Sequence, residues 1–203
     1  MIRTKGILLA ALVALGGAYW WWRRHPSPCP YGLRIWVQIP RPFLTPGRLR
    51  EALALSGGEQ VLEIGPGTGY YTPHLARWVG DGTVEILDMQ QEMLDHTMKK
   101  LERLGMGNVS PRLADAVELP YPDESVDAAL MVTVFGEIPD GDAALAEIRR
   151  VLKRGGRLVI GSIAIGDPHF SSLGAVRSHA ERAGLHSAGS VGPPFAYFAS
   201  FQK

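Results

Sequence analysis

Apolar and polar stretches alternate along this chain from residue 61 to about residue 185. Short apolar runs at residues 61–64, 83–87 and 128–135 have the length and composition of buried strands. Between and after them lie longer segments in which apolar side chains recur at helical intervals, as in residues 142–154. This alternation predicts an α/β fold with a doubly wound, mostly parallel sheet.

Several element ends are marked by the residues that usually stop a strand or helix. Residues 142–154 predict a helix with Asp142 as its N-cap, and Gly155 with Gly156 as its stop. A strand is expected at residues 157–163, and a last strand at 195–201. A further strand at 109–113 contains Pro111, which has no N–H to donate, so that strand is expected at a sheet edge.

The N-terminus differs in character from the rest. Residues 7–22 carry no charge and end in aromatic side chains, and Arg23 and Arg24 follow. Sixteen helical residues span about 24 Å, slightly less than the roughly 30 Å of a bilayer core. We interpret residues 1–24 as an uncleaved single-pass membrane anchor helix. A cleaved signal peptide and a helix lying on the membrane or buried in the protein are the alternatives.

Charge is distributed unevenly. The net charge is +1, yet the first 50 residues hold eight Lys or Arg and no Asp or Glu, which leaves the remainder acidic. A basic flank beside an apolar helix favours anionic membrane lipid, and the positive-inside pattern predicts that the C-terminal domain is cytoplasmic. The acidic remainder offers no basic groove, so nucleic acid is not an expected partner.

Residues 25–44 form a predicted linker. Pro26, Pro28 and Pro30 indicate a stiff, extended segment, and Cys29 is the only cysteine, so an intrachain disulfide is excluded and no metal site is predicted. Cys29 is either a palmitoylation site or a plain free thiol. Residues 31–43 mix aromatic and basic side chains, and they either cover a substrate entrance at the membrane or pack on the domain.

The strongest chemical signal follows the first apolar run. Gly65, Gly67 and Gly69 alternate with other residues, and a helix start follows at residues 72–73. Glycine allows positive φ and lets a ligand approach the backbone, so this turn predicts a binding site at the end of the first strand. A dinucleotide-binding turn would need its third glycine at position 70, where the chain has Tyr70.

Two carboxylates follow the next two strands. Asp88 comes directly after residues 83–87 and can accept two hydrogen bonds from a ribose diol, because neighbouring parallel strands end side by side. The alternative is an Asp that stabilises a helix N-terminus. Asp115 follows residues 109–113 in the same way.

These motifs resemble the class I S-adenosylmethionine (SAM)-dependent methyltransferases. Glu63 with the glycine turn is similar to motif I of that family, and residues 147–156 are similar to its E-x-x-R-V-L-K-P-G-G segment, with Arg154 in place of proline. The resemblance covers about residues 45–203 and implies a Rossmann-like sheet with an antiparallel last strand. It also implies SAM as cofactor and Asp115 as the adenine contact. The implied cofactor-binding residues are Glu63, Gly65, Gly67, Gly69, Asp88, Met89, Asp115 and Ala116.

Methyl transfer is an in-line displacement in which the protein chiefly aligns two reactants, so no fixed triad is expected. An acceptor that loses a proton needs a base. Glu137, Asp167 and His169 follow the fourth and fifth strands and are the candidates, with His169 the best titrating group near neutral pH. His169 as an ordinary loop histidine is the alternative.

We therefore expect a membrane-anchored SAM-dependent methyltransferase that acts on a small amphiphilic or lipid-like acceptor. One alternative is an NAD-dependent oxidoreductase, which is disfavoured by Tyr70 and by the lack of a Tyr-x-x-x-Lys pair. Another alternative is a SAM-binding membrane scaffold without catalysis.

Overall fold

The computed structural model describes residues 16–17, 25–38 and 41–203. In this part of the chain one sheet of seven strands is flanked by helices, with the strand order β3-β2-β1-β4-β5-β7-β6. The strands are β1 (Gln60–Ile64), β2 (Thr83–Asp88), β3 (Val109–Leu113), β4 (Val126–Val132), β5 (Leu152–Ile163), β6 (His186–Val191) and β7 (Ala196–Gln202). The helices are α1 (Arg34–Gln38), α2 (Pro46–Leu53), α3 (Thr72–Trp78), α4 (Gln91–Arg103), α5 (Gly141–Val151) and α6 (Leu173–Arg182).

The first five strands run parallel, and β7 runs antiparallel to both β5 and β6. The predicted Rossmann-like, mostly parallel sheet with an antiparallel last strand is therefore confirmed. Successive side chains of a strand point to opposite faces, and both faces are apolar here. Leu62 and Ile64 pack into one buried cluster, and Val61 packs into the other.

Strand order decides where a ligand can bind. The chain moves outward from β1 through β2 to β3, then returns to place β4 on the other side of β1. Loops that leave β1 and β4 diverge at this reversal, which opens a crevice at the carboxyl ends of the strands. The glycine turn after β1 lies at this crevice.

Pro111 lies in an edge strand, as expected for a residue that has no N–H to donate. It lies in β3, which pairs only with β2 among the described strands and forms the sheet edge. The prediction of an edge strand at residues 109–113 is confirmed.

Two boundaries around α5 differ from the sequence prediction. The N-cap is Asp140, whose Oδ1 accepts a 3.0 Å hydrogen bond from the N–H of Ala143, while the predicted cap Asp142 lies inside the first turn. The helix ends at Val151 rather than at the glycines, because Leu152 already pairs with Val126 of β4. Strand pairing thus overrides the helical pattern of the last three residues.

The strand β6 has no counterpart in the sequence prediction. Most of its side chains are exposed or half-buried, and it pairs only with β7 at the second sheet edge within the described chain. A strand that buries little lacks the apolar alternation from which strands are predicted.

The predicted anchor at residues 1–24 lies outside the described residues except for Gly16 and Gly17. Among the helices that the structure does describe, none combines the length and apolar character needed to cross a bilayer. The chain enters the described domain through a segment that we call the strap, residues 28–33. The strap ends in a 3₁₀ turn at Tyr31–Leu33, which leads into α1.

Candidate functional site

A cavity of about 930 Å³ opens at the carboxyl edge of the sheet. This volume lies at the upper end of the roughly 300–1,000 Å³ found for small-molecule sites, so two small reactants fit side by side. The lining is largely apolar with a few acidic groups. It includes residues 63–67, 70–71, 87–90, 114–116, 132–134, 137–139 and 165–168, together with Cys29, Leu33, Arg41, Pro42 and Phe43.

The glycine turn brings backbone to the cavity wall. Gly65 and Gly67 line the cavity and have φ of +66° and +56°, in the left-handed region that favours glycine. A Cβ on Gly65 would lie 2.5 Å from Cγ2 of Val134, so the turn also needs the absence of a side chain. The sequence prediction that these glycines expose backbone to a ligand agrees with this geometry.

Gly69 has a different surrounding. It is not among the cavity-lining residues that the structure describes, and a Cβ there would lie 2.8 Å from Cγ2 of Thr97 on α4. The carbonyl oxygen of Gly69 accepts a 2.6 Å hydrogen bond from Nζ of Lys100, and that of Gly67 accepts a 2.9 Å bond from Oγ1 of Thr97. Gly69 therefore lets α4 pack against the turn and hold it in shape.

Glu63 lies at the base of the site. It is 3% exposed, and its Oε2 accepts a 2.6 Å hydrogen bond from the hydroxyl of Thr72 at the start of α3. Burial raises the pKa of Glu63 to about 7, although the Thr72 hydrogen bond and the charge of Lys100 oppose that rise. A cation bound nearby would favour its ionised form.

Asp88 ends β2 beside the glycine turn and is 8% exposed. Its Oδ1 accepts a 3.0 Å hydrogen bond from the N–H of Gln90. Burial raises the pKa of Asp88, and the backbone N–H groups of Gln90, Gly67 and Met89 oppose the rise. The carboxylate is thus fixed in direction at the cavity wall, where a diol could bind, and Met89 lies next to it in the lining.

Asp115 and Ala116 occupy the corresponding position after β3. Both line the same cavity, and Oδ1 of Asp115 accepts a 3.1 Å hydrogen bond from the N–H of Val117. This bond holds the carboxylate of Asp115 in the loop that follows β3. The sheet therefore places Glu63, Asp88 and Asp115 at the ends of three neighbouring strands, as expected for one elongated ligand.

The strap crosses this cavity, and two side chains hold it there. The N–H of Cys29 donates a 3.3 Å hydrogen bond to Oε2 of Glu137, and its carbonyl oxygen accepts a 3.0 Å bond from Nε2 of Gln90. The N–H of Tyr31 donates a 3.1 Å bond to Oε1 of Gln90. Sequence reasoning did not find Gln90, because the residues it bonds lie about 60 positions away.

Glu137 lies in a 3₁₀ turn after β4, at Phe135–Glu137, and lines the cavity. Burial, together with the charges of Asp167 and Asp88, raises the pKa of Glu137 to about 8. Asp167 also lines the cavity, and burial raises its pKa as well. Gly136 lets the turn that follows β4 approach the loop that contains His169. A Cβ at position 136 would collide with the carbonyl oxygen of His169.

His169 is placed differently from Glu137. It is 7% exposed and is not among the cavity-lining residues of the described chain, and its N–H donates a 2.8 Å hydrogen bond to Oδ1 of Asp167. Its backbone therefore orients Asp167 at the cavity wall. A direct role for the His169 imidazole as a base stays a prediction, and the geometry favours Glu137.

The aromatic residues Tyr70 and Tyr71 line the cavity, whereas Phe135 is buried and packs edge-on against His179. The hydroxyl of Tyr71 donates a 2.6 Å hydrogen bond to the carbonyl oxygen of Leu44, which ties the segment before α2 to the site. Arg41 also lines the cavity, and its charge opposes the pKa rise of both Glu137 and Asp167.

The residues fit SAM in two respects. The turn at Gly65 and Gly67 leaves no Cβ between backbone and cavity, and the buried carboxylate of Asp88 is directed by its own backbone neighbours. Within residues 16–17, 25–38 and 41–203, no group of three or more His, Cys, Asp or Glu side chains is arranged to hold a metal ion.

Comparisons with known proteins agree with this geometry. A methyltransferase domain family matches residues 61–156. The ubiquinone/menaquinone biosynthesis C-methyltransferase UbiE of Teredinibacter turnerae is 42% identical over 113 residues, which cover 53% of this chain and 45% of UbiE. The methyltransferase GfsG of Streptomyces halstedii is 36% identical over 119 residues, which cover 58% of this chain and 42% of GfsG. Each match therefore spans less than half of the relative.

Solved structures extend the likeness to the fold as a whole. A SAM-dependent methyltransferase from Aquifex aeolicus superposes with a TM-score of 0.77 at 26% identity, covering 86% of this chain and 98% of that chain. The [4+2]-cyclase SpnF superposes with a TM-score of 0.69 at 20% identity, covering 78% and 79%, and shows the fold alone. The chain is thus similar in sequence and fold to class I SAM-dependent methyltransferases, which imply SAM as its cofactor.

Proposed function

We propose that this protein transfers a methyl group from SAM to a small amphiphilic or lipid-like acceptor at a membrane. The observation that carries the proposal is the shape of one cavity. The cofactor-type groups Asp88 and Asp115 line this cavity together with Glu137, Asp167 and a largely apolar set of side chains. A largely apolar wall with two acidic groups suits an acceptor that is mostly hydrocarbon but carries one ionisable group.

When bound, SAM supplies a methyl group that is already activated for displacement. The chain's own residues then have three tasks: to align the acceptor, to exclude water and to take the proton that the acceptor loses. The strap covers the cavity through its bonds to Gln90 and Glu137, and this serves the first two tasks.

Glu137 takes the proton that the acceptor loses. Its Oε2 is held by the N–H of Cys29, which leaves Oε1 to take a proton from a phenol, enol or amine of the acceptor. A pKa raised to about 8 makes this carboxylate a stronger base than an exposed glutamate. His169 contributes by fixing Asp167, whose charge helps to raise the pKa of Glu137.

The relatives support the acceptor class. UbiE is described as a C-methyltransferase of ubiquinone and menaquinone biosynthesis. A carbon acceptor beside a phenol-type oxygen fits the same arrangement, because removal of the oxygen's proton by Glu137 makes the neighbouring carbon nucleophilic. The apolar residues 7–22 fit a single-pass anchor with the domain on the cytoplasmic side.

Calorimetry with S-adenosylhomocysteine and with NAD tests the cofactor assignment. We expect binding of the first and none of the second, and the opposite result would favour an oxidoreductase. Tight S-adenosylhomocysteine binding with no turnover on any extract would instead favour a SAM-binding scaffold.

The acceptor is sought by incubating the full-length protein with methyl-labelled SAM and total membrane lipid, followed by mass spectrometry. We expect label in a lipid-phase product with wild type and a large loss with Glu137→Gln. Glu181→Gln, which changes an exposed carboxylate on α6, is the matched control and should keep activity. Label confined to water-soluble products would overturn the lipid-like acceptor.

A further inference from the structure

Exposed large apolar side chains gather around the cavity mouth. Leu33 and Ile165 both line the cavity and are 47% and 66% exposed. Phe195 is 42% exposed and packs edge-on against Phe43 of the lining, with ring centroids 5.1 Å apart. Ile35 lies two residues after Leu33 and is 68% exposed. A soluble surface rarely places such side chains together unless they contact something.

The other exposed large apolar side chains of the described chain have different positions. Met89 follows Asp88 in the chain, and Leu113 pairs with Asp88 across β2 and β3. Leu104 caps the end of α4, which runs back from the carboxyl end of β2 toward the opposite edge of the sheet. Leu104 is as exposed as Leu33, so it provides a comparison far from the mouth.

Chain length ties the mouth to the apolar N-terminal sequence. Pro28 lines the cavity and lies six positions after Trp22, the last residue of that sequence. Six residues reach at most about 21 Å when fully extended. If residues 7–22 insert into a membrane, the surface of that membrane therefore lies close to the cavity mouth.

The charged residues of the N-terminal part indicate what kind of surface faces the cavity mouth. The first 50 residues contain only basic charged side chains, among them Arg41 in the cavity lining and Arg34 next to Leu33. Apolar side chains beside arginines match an anionic bilayer, where each arginine near the surface contributes about 1 kcal/mol.

We propose that Leu33, Ile35, Ile165 and Phe195 form a docking face that rests on the anionic leaflet, so that the acceptor enters the cavity directly from lipid. The lipid source of the acceptor rests on the proposed function. The docking itself requires no methyl transfer.

The test places a fluorescent label at single cysteines in the full-length protein. Cys29→Ser supplies the background, since the bonds from residue 29 to Gln90 and Glu137 use only its backbone. Ile165→Cys carries the label on the docking face, and Leu104→Cys is the matched control. The probe is phosphatidylcholine vesicles with phosphatidylglycerol and brominated acyl chains.

We expect loss of fluorescence at position 165 and none at position 104, since bromine quenches only at close range. Equal quenching at both positions, or none at 165, overturns the docking face. A label at 165 that becomes buried with rising protein concentration, without vesicles, assigns the face to a second copy and also overturns the proposal.

Calorimetry with S-adenosylhomocysteine on the labelled Leu104→Cys protein, whose label lies outside the cavity lining, separates the two proposals. Quenching at 165 without cofactor binding would leave the docking face standing and count against methyl transfer. Cofactor binding without quenching at position 165 would support the SAM assignment and overturn the docking face.

Discussion

The side-chain amide of Gln90 donates a 3.0 Å hydrogen bond to the carbonyl oxygen of Cys29. Gln90 lies two positions after Asp88, and its N–H is bonded to that carboxylate. One residue thus connects the predicted ribose contact to the strap that covers the cavity. Cofactor binding and closure of the strap are therefore expected to be coupled.

Gln90→Ala should loosen the strap. It removes the bonds to Cys29 and Tyr31, which together contribute about 2 kcal/mol. Hydrogen exchange followed by mass spectrometry should show the amides of Cys29 and Tyr31 exchanging roughly tenfold faster or more. Gln91→Ala is the control, because Gln91 bonds only Asp95 on the surface of α4. Equal exchange in both variants would show that Gln90 does not hold the strap.

Asp88→Ala should weaken S-adenosylhomocysteine binding. Loss of hydrogen bonds to a charged acceptor costs about 1.5–3 kcal/mol, or on the order of 10- to 100-fold in affinity. Asp88→Asn keeps an oxygen for the N–H of Gln90 and separates the effect of charge from that of loop shape. Asp95→Ala removes an exposed carboxylate of α4 and serves as control. Unchanged affinity in calorimetry would mean that another carboxylate binds the ribose.

Gly65→Ala should destabilise the fold more than Gly80→Ala. Both glycines have positive φ, at +66° and +58°, but a Cβ at 65 meets Val134 whereas one at 80 meets open space. Conformational strain costs about 1–2 kcal/mol at either site. Overpacking adds about 1–3 kcal/mol at position 65 alone.

Urea unfolding of both variants measures this difference. The double variant Gly65→Ala with Val134→Ala makes room for the new Cβ and should recover part of the overpacking cost. Failure to recover any of it would place the whole cost in the backbone conformation.

Glu137→Gln should raise thermal stability at alkaline pH. Its folded-state pKa is raised to about 8, so the native protein holds this proton more tightly than the unfolded chain does. Stability from this group is fully present below about pH 4.5, falls as pH rises and is lost above about pH 8. The variant lacks this dependence, since glutamine does not titrate.

Melting temperatures between pH 5 and 9 test this reasoning. The advantage of Glu137→Gln should grow up to about pH 8 and then level off. Glu181→Gln removes an exposed carboxylate and should follow the wild type. A constant difference at every pH would show that Glu137 is not buried as a protonated acid.

The cofactor end of this site could be predicted from sequence because its chemistry is local. Each functional residue there lies at the end of a strand, so Gly65, Asp88 and Asp115 are brought together by any parallel sheet with this order of elements. Pro111 likewise specified an edge strand through its missing N–H. These conclusions need only backbone geometry and the spacing of apolar residues.

The acceptor end was decided by tertiary structure. Cys29 meets Glu137 across 108 positions, and Gly136 meets His169 through contact between two loops. No local pattern encodes such pairs, because loop positions depend on how the whole sheet packs. For the same reason the sequence favoured His169 as the base by its ordinary pKa, whereas the raised pKa of Glu137 comes from burial and from charges that only the tertiary structure brings near it.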